Sequence, residues 1–416
     1  MTNNTFTKFV LAASFFLIPL TIIAEPTLEE IVVSARKVDE NLQDVPIAMS
    51  VFTSSDIEDA GIQRPEDFIA LTPNVVMANT VNVGDTLVTI RGLTSTRDAE
   101  SNFAFVVDGV LQTNPNAFNR ELLDIAQIEV LKGPQGALYG RNATSGAILI
   151  TTKAPSEESE STAVVGMGVN NSTKLQFVNS GKMGENVYTR FSVSTRDTDG
   201  EHTNVFSNSN NVDHFEDTTI RTRFLVDNGD SSWDLRAGIS EASGGTINFN
   251  AVFALPAFQG FGTPGADQFY KDVNTHQFTY MFNVPPVNEQ ETADISLKYT
   301  EDMGDGREFS AILAYNHLEE FLLSDGTSGA FGGYFGVPSC AASNTASNLA
   351  LINSLPPGFS FAAPGTAPSA ANSVFGPYLP HTCDGYQFQS RDQDDISIEL
   401  KPVSYTHLTL PTIYSV

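Results

Sequence analysis

Positive charge is scarce in this chain. Lys and Arg together number 22 against 49 Asp and Glu, for a net charge of −27. That balance argues against a nucleic-acid partner, because binding to phosphates relies on Lys and Arg to release counterions. The plain reading of so much acid is a solvated surface. Cysteine is scarcer still: only Cys340 and Cys383 occur. With no C-x-x-C and no His pair at ligand spacing, they do not read as a metal site, though an oxidising compartment would let them pair. The 6 histidines, His202, His214, His276 and His317 among them, form no HExxH. Thr144-Ser145-Gly146 is not the nucleophile elbow G-x-S-x-G. No catalytic residue, cofactor or metal is assigned, and the chain does not read as an enzyme. Beyond the N-terminus, no segment offers the ~18 consecutive apolar residues of a membrane helix.

What is present begins with an export signal. In "MTNNTFTKFVLAASFFLIPLTIIAEP", Lys8 precedes an apolar run and Ala24 precedes Glu25. Positive, apolar, small is the order of a secretory signal peptide, cleaved after Ala24. From there to Pro155 the chain mixes short strands with helices. "SSDIEDAG" offers Ser54 or Ser55 as N-cap and stops at Gly61. "RPEDFIALTP" puts Pro65 at a first helical position and Pro73 just past the end. "TLVTIRGL", "FAFVVDGV", "IAQIEVLKG" and "GAILITTK" are apolar strand-like runs closed by Gly or Lys.

After about residue 160 the period becomes two. "VYTRFSVSTR" sets Val187, Thr189, Phe191 and Val193 against Tyr188, Arg190, Ser192 and Ser194. "TIRTRFLVD", "WDLRAGI", "ADISLKYT" and "REFSAILAYN" repeat the scheme, which marks strands with one apolar and one polar face. The tight links "KMGEN" (182–186), "DNGD" (227–230) and "DMGDG" (302–306) alternate with long connections at 197–217, 242–292 and 321–392. An outer-membrane barrel has this lopsided pattern, with its apolar face toward lipid. A water-soluble sandwich remains the alternative.

In order and spacing, the signal peptide, "EEIVVSA" (29–35), "TIRG" (89–92), "VVDGV" (106–110) and "IEVLKGPQGALYGRNATSGAILITTK" (128–153), followed by alternating strands, resemble the TonB-dependent outer-membrane receptors. The resemblance implies an α+β plug domain (41–155) followed by an antiparallel transmembrane β-barrel (160–401). Barrels of this kind run to about 22 strands. It implies import of a scarce ligand such as an iron chelate, haem, vitamin B12 or an oligosaccharide, with energy delivered by the periplasmic protein TonB. Residues 25–40 would be the TonB-contacting segment and linker. Within it Glu29, Glu30, Ile31, Val32, Val33, Ser34 and Ala35 could add as a strand to a partner's sheet edge; otherwise they form an ordinary first strand. A passive porin-like barrel and a secreted β-rich binding protein are the competing functions.

The glycine-rich run invites a phosphate-loop reading, which fails. A Walker loop ends in Gly-Lys-Ser/Thr, whereas Lys132 here precedes the glycines. The resemblance makes the segment plug framework instead: Arg91, Gly92, Asp108, Gly109, Gly133, Pro134, Gly136, Gly140 and Arg141. Gly133, Gly136 and Gly140 would permit tight turns and close strand approach. Asp108 reads as a turn former before Gly109. In the family, arginines at the positions of Arg91 and Arg141 bond carboxylates of the barrel's inner wall. Glu399, on the polar face of "DDISIELK", is the candidate partner.

The strand pattern gives about eight strands, which could close only a barrel filled by its own side chains, with no room for a plug. The chain therefore reads as the N-terminal part of a larger barrel, with 402–416 an atypical tail. Cys340 and Cys383 fall in one long connection. We expect a disulfide there to restrict the unfolded chain by about 4 kcal/mol on the loop-entropy estimate. Intact mass before and after reduction and alkylation checks the pairing.

Overall fold

The structure, a computed structural model, describes residues 31–79, 84, 86–96, 99–204, 208–210, 212–245, 286–325 and 386–404. The export signal, Glu29, Glu30, Cys340, Cys383 and the aromatic stretch 246–285 lie outside these. By contacts the chain forms two units, Met1–Pro46 and Ile47–Val416. In the first, β1 (Val32–Val33) pairs antiparallel with β2 (Glu40–Asn41). The turn between them carries Lys37 at φ 61° and an Arg36–Glu40 ion pair of 3.0 Å.

The second unit opens with β3 (Met49–Thr53) running into α1 (Ser54–Asp59). Thr53 caps α1, one residue earlier than the serines suggested. Its hydroxyl accepts from the Asp56 amide, and the Asp56 carboxylate accepts from the Thr53 amide, so two orphan donors are met at once. Those hydrogen bonds hold the Asp56 carboxyl below its ordinary range. Next, α2 (Pro65–Ala70) starts on Pro65 as expected. Then follow β4 (Val75–Asn79), β5 (Thr86–Ile90), β6 (Leu93–Thr94), β7 (Phe103–Val107), β8 (Val110–Gln112), β9 (Ile125–Lys132), the single turn α3 (Gly136–Tyr139) and β10 (Gly146–Thr152). The central sheet has the order β3-β9-β10-β7-β8, and β4-β5-β6 make a smaller one. Within the central sheet β7 and β10 run parallel and β9 and β10 antiparallel. Phe68, Phe103 and Phe105 meet Phe118 edge-on, at 6.4, 5.1 and 5.1 Å, in a core with Ile128 and Ile148.

Within the glycine-rich run the closest backbone approach falls at Gly146, outside the three glycines singled out from the sequence. A Cβ on Gly146 would sit 2.2 Å from the Leu131 carbonyl oxygen, so β9 and β10 can pair there only through a glycine. Gly133 takes φ +115° at the turn out of β9, whereas Gly136 has ordinary φ and open space.

From Glu160 onward a single eight-stranded antiparallel meander follows: β11 (Glu160–Met167), β12 (Thr173–Lys182), β13 (Val187–Thr198), β14 (Phe215–Asp227), β15 (Ser231–Gly244), β16 (Val287–Gly304), β17 (Arg307–Asp325) and β18 (Tyr386–Ser404). We call this sheet the wall. Its last three strands run further than the sequence pattern suggested, taking in 287–292, 321–325, 386–392 and 402–404. Hydrophobic alternation fades there, because "VNEQET" is polar on both faces, while the ladder hydrogen bonds continue.

The two faces of the wall differ as the alternation requires. Arg190, Ser192 and Ser194 are buried, whereas Phe191 between them is exposed. Trp233, Leu235 and Ile239 are exposed and Asp234 is buried. Register aligns Phe224, Leu235, Leu297, Leu313 and Ile398 across five strands, an outward apolar row suited to hydrocarbon. Below it Trp233 and Tyr299 lie 4.5 Å apart with their rings tilted, a pair of the kind that forms aromatic girdles at bilayer interfaces. Among the described residues no helix is long and apolar enough to cross a membrane, which leaves crossing by strands untouched. Leu313→Arg should destabilise the protein folded in a bilayer by about 2–4 kcal/mol, and Glu301→Arg near the rim by about 0–1. Denaturant titration of the two variants in lipid vesicles measures the contrast.

Candidate functional site

The first part of Ile47–Val416 sits on the inward, polar face of the wall, and ion pairs dominate that contact. Much of it comes from the four residues Glu121–Asp124, which lead into β9. Asp124 takes φ +57°, a conformation that Asp tolerates better than most residues. Its carboxylate accepts from Arg190 Nε and Nη2 at 2.5 and 2.7 Å and from Ser192 Oγ at 2.7 Å. Both charged side chains are 8% exposed, so each depends on the other for compensation. The remaining nitrogen, Arg190 Nη1, donates to Glu160 at 2.6 Å and to the Ala154 carbonyl at 3.3 Å.

Glu121 is buried under two wall cations, Lys174 Nζ at 2.8 Å and Arg196 Nη1 at 3.4 Å. Arg221 donates to the Leu123 carbonyl at 2.9 Å. Arg223 donates to the carbonyls of Thr152 and Lys153 at 3.2 and 3.1 Å while holding Asp234 with its other nitrogens.

Asp108 and Gly109 form the two-residue turn between β7 and β8, both at positive φ. Such a turn needs residues that tolerate the left-handed region. The Asp108 carboxylate does more than turn the chain. It accepts from the Thr152 amide and hydroxyl at 2.8 and 2.7 Å and pairs with Arg236 at 3.2 Å.

Contacts with β16–β18 have another chemistry. Asn116 donates to Glu320 at 2.6 Å, Asn114 to Gln393 at 2.9 Å and Arg120 to Thr292 at 3.2 Å, and Thr113 donates to Asp395. Burial lowers the Arg120 guanidinium from its ordinary range, with Asp294 opposing. Asp108, Arg120, Asp124, Arg221, Arg236 and Asp294 line part of a cavity of about 60 Å³. That is room for a few waters.

The polarity of these pairs is the reverse of the sequence expectation, which had plug arginines reaching wall carboxylates. Arg141 pairs with Glu100 at 3.4 Å, both side chains more than half exposed. Arg91 is exposed on the turn it shares with Gly92. Its amide donates to the Asn74 carbonyl at 2.9 Å, and its Nη1 would lie 3.1 Å from a Cβ on Gly133. Glu399 faces Tyr139. Burial raises the Tyr139 hydroxyl above its ordinary range, and the charges of Glu129 and Glu399 raise it further. Gly140 takes φ +75°, and Pro134 is exposed beside buried Gly133. In the first unit Val33 and Ala35 are buried while Val32 is 50% exposed.

The acids Glu121 and Asp124 were missed. The signal lay in the strands: "YTRFS", "TIRTRF" and "DLRAG" put arginines on inward faces, and inward arginines call for carboxylates opposite. Among the described residues, one grouping has the make-up of a cation site. His317 Nδ1 lies 2.9 Å from Asp394 and 3.8 Å from Asp392, on the outward face and partly solvated.

A strand-built wall with a lipid-suited exterior, with an α+β part seated on its polar face, is the arrangement of part of a plugged barrel. Residues 41–147 match the TonB-dependent Receptor Plug Domain, so this part of the chain is similar to the plug of the TonB-dependent receptors. It is 24% identical over 213 residues to the pesticin receptor of Yersinia enterocolitica, covering 51% of this chain and 31% of that protein. The vitamin B12 transporter BtuB of Vibrio vulnificus is 26% identical over 200 residues, covering 47% of this chain and 32% of that protein. The chain thus spans about a third of the length of these relatives. The ferric yersiniabactin uptake receptor FyuA from Yersinia pestis superposes with TM-score 0.57 at 18% identity, over 67% of this chain and 43% of that one. The ferric-catecholate import receptor Fiu from E. coli K12 gives 0.56 at 18%, over 71% and 43%. At that identity the structural likeness bears on fold.

Glu121→Gln should leave Lys174 and Arg196 short of a counter-charge and destabilise the plug by about 3–5 kcal/mol, since breaking one partner of a buried pair is costly. Lys153→Gln, at the exposed pair with Glu58, should change it by about 0–1 kcal/mol. Amide hydrogen exchange at Ile128 and Ile148 measures both.

Proposed function

We propose that the chain is the plug-bearing part of an outer-membrane importer that takes up a scarce small ligand, of the iron–siderophore type, with energy transmitted by TonB. The observation that carries this is the seating of the plug: an α+β domain fastened by buried ion pairs to the polar face of a lipid-suited wall. Such a domain obstructs passive diffusion, which disfavours a simple porin. The ligand class rests on the company the fold keeps, since the two structural neighbours described are named for ferric complexes; BtuB is named for vitamin B12.

In this reading residues 1–24 direct export, 25–40 contact TonB, 41–155 are the plug and 160–401 belong to the barrel, in a Gram-negative outer membrane. The chain performs transport and no covalent chemistry. Val32–Val33 pairs as a strand with Glu40–Asn41, which supports extended geometry at the centre of this segment, as strand addition to a partner requires.

A proline at Ile31 or Val33 removes a main-chain donor and opposes strand pairing. Ile31→Pro and Val33→Pro should abolish energised uptake of labelled ferric siderophores and leave their binding to the cell surface intact. Collapse of the inner-membrane proton gradient should stop uptake by the parent protein as well. Uptake that survives both treatments means a passive pore.

A further inference from the structure

The outward face of the wall changes character toward the long links. On β18 the outward side chains run Leu400, Ile398 and Ile396, and then Asp394 and Asp392, all exposed. Glu241 on β15 is directly opposite Glu291 on β16, Glu291 is opposite Glu319 on β17, and Glu319 is opposite Asp392. Like charges directly opposite on neighbouring strands destabilise a sheet. From the row of Leu235 toward the long links, the described outward positions of β15–β18 hold no Lys or Arg. Arg391, next to Asp392, turns inward to Glu320 at 3.8 Å.

His317 lies at the edge of this acidic row. It is directly opposite Asp394, and Asp392 and Asp394, two residues apart on one strand, share a face. The imidazole Nδ1 lies 2.9 Å from Asp394 and 3.8 Å from Asp392, and one donor atom from each of the three lies within 4.8 Å of the others. Two donors bound at about 2.1 Å to a tetrahedral ion stand about 3.4 Å apart, and the two distances from the imidazole straddle that value. Tyr315 donates to Asp394 Oδ1 at 2.6 Å, a bond of the kind that orients a ligating carboxylate.

We infer that His317, Asp392 and Asp394 form a binding site for a divalent transition ion of the zinc type, on the outward face of the wall. One imidazole and two carboxylates suit such an ion and leave a fourth position for an oxygen from outside the chain. With no ion bound, His317 and Asp394 share a hydrogen bond; the ion takes the place of the proton between them. That hydrogen bond alone accounts for Asp394. It gives no reason for Asp392 to approach the same nitrogen, and no relief from Glu319, which faces Asp392 across the ladder. A divalent charge supplies both, and joins β17 to β18 at the level where apolar side chains give way to acids.

Zn²⁺ is the probe, titrated against a chromophoric chelator into the full chain folded in lipid vesicles and stripped of metal beforehand. The parent should bind about one Zn²⁺ per chain more than His317→Gln/Asp394→Asn, which lacks two of the three donors. Tyr315→Phe keeps all three donors and loses the bond that orients Asp394, so its affinity should fall about tenfold. Glu241→Gln/Glu291→Gln thins the acidic row and spares the site, so its affinity should stay within about threefold of the parent at physiological salt. Excess Mg²⁺ should not displace the Zn²⁺, because Mg²⁺ prefers an all-oxygen, largely hydrated shell.

A general attraction of cations to acid gives a different pattern. Glu241→Gln/Glu291→Gln would then lose as much binding as His317→Gln/Asp394→Asn, and Mg²⁺ would compete. That pattern, or equal Zn²⁺ stoichiometry in the parent and in His317→Gln/Asp394→Asn, overturns the inference. If His317→Gln/Asp394→Asn fails to fold in lipid, labelling of the parent with diethyl pyrocarbonate decides: protection of His317 by Zn²⁺ supports the site, and unchanged labelling refutes it.

Discussion

Carboxylates of the plug buried beneath arginines of the wall are the contact on which the rest of this structure depends. A charge taken out of water must be compensated by a partner of good geometry, and the compensation is worth having only if both members stay put. Asp124 meets that demand with two nitrogens of Arg190 and the hydroxyl of Ser192. The geometry in turn fixes the backbone: the residue that carries the carboxylate sits at positive φ at the entrance to β9, and its carbonyl accepts from the Lys153 amide at the exit of β10. One point therefore closes the β9–β10 hairpin and ties it to β13.

Two kinds of contact divide the wall. Toward β12–β15 the plug is held by charge-assisted bonds, that between Arg190 and Asp124 being bidentate. Toward β16–β18 the contacts are mostly amides and hydroxyls meeting amides and carboxylates. The plug is therefore held by paired charges on one side and by bonds with at most one charged partner on the other. The cavity beside Asp294 lies between these two regimes.

Much of this was legible in the sequence. Strict alternation placed the wall strands, because a strand between lipid and a polar interior has no other way to satisfy both faces. Pro65 and Asp108-Gly109 announced a helix start and a turn through backbone geometry alone. The strand ends beyond the hydrocarbon were not legible, since nothing outside the membrane enforces alternation: "VNEQET" pairs through its backbone whatever its side chains are. Nor was the polarity of the plug contacts. Arg91 and Arg141 stood out because they lie in recognisable motifs, yet both occupy exposed turns, while Glu121 and Asp124 look like any acidic pair flanking two leucines. A sequence shows which residues carry charge; which side of a plug turns toward the wall is a three-dimensional fact. Gly146 teaches the same lesson, because its need for a bare Cα comes from Leu131, a residue on the neighbouring strand.

The wall's links are short at one rim and long at the other. A two-residue link such as Asp305-Gly306, both at positive φ, admits no insertion without shifting the pairing of β16 with β17, and a shift of one residue would turn every apolar side chain inward. The long links carry no such restriction. Variation in length can therefore accumulate at one rim of the wall only.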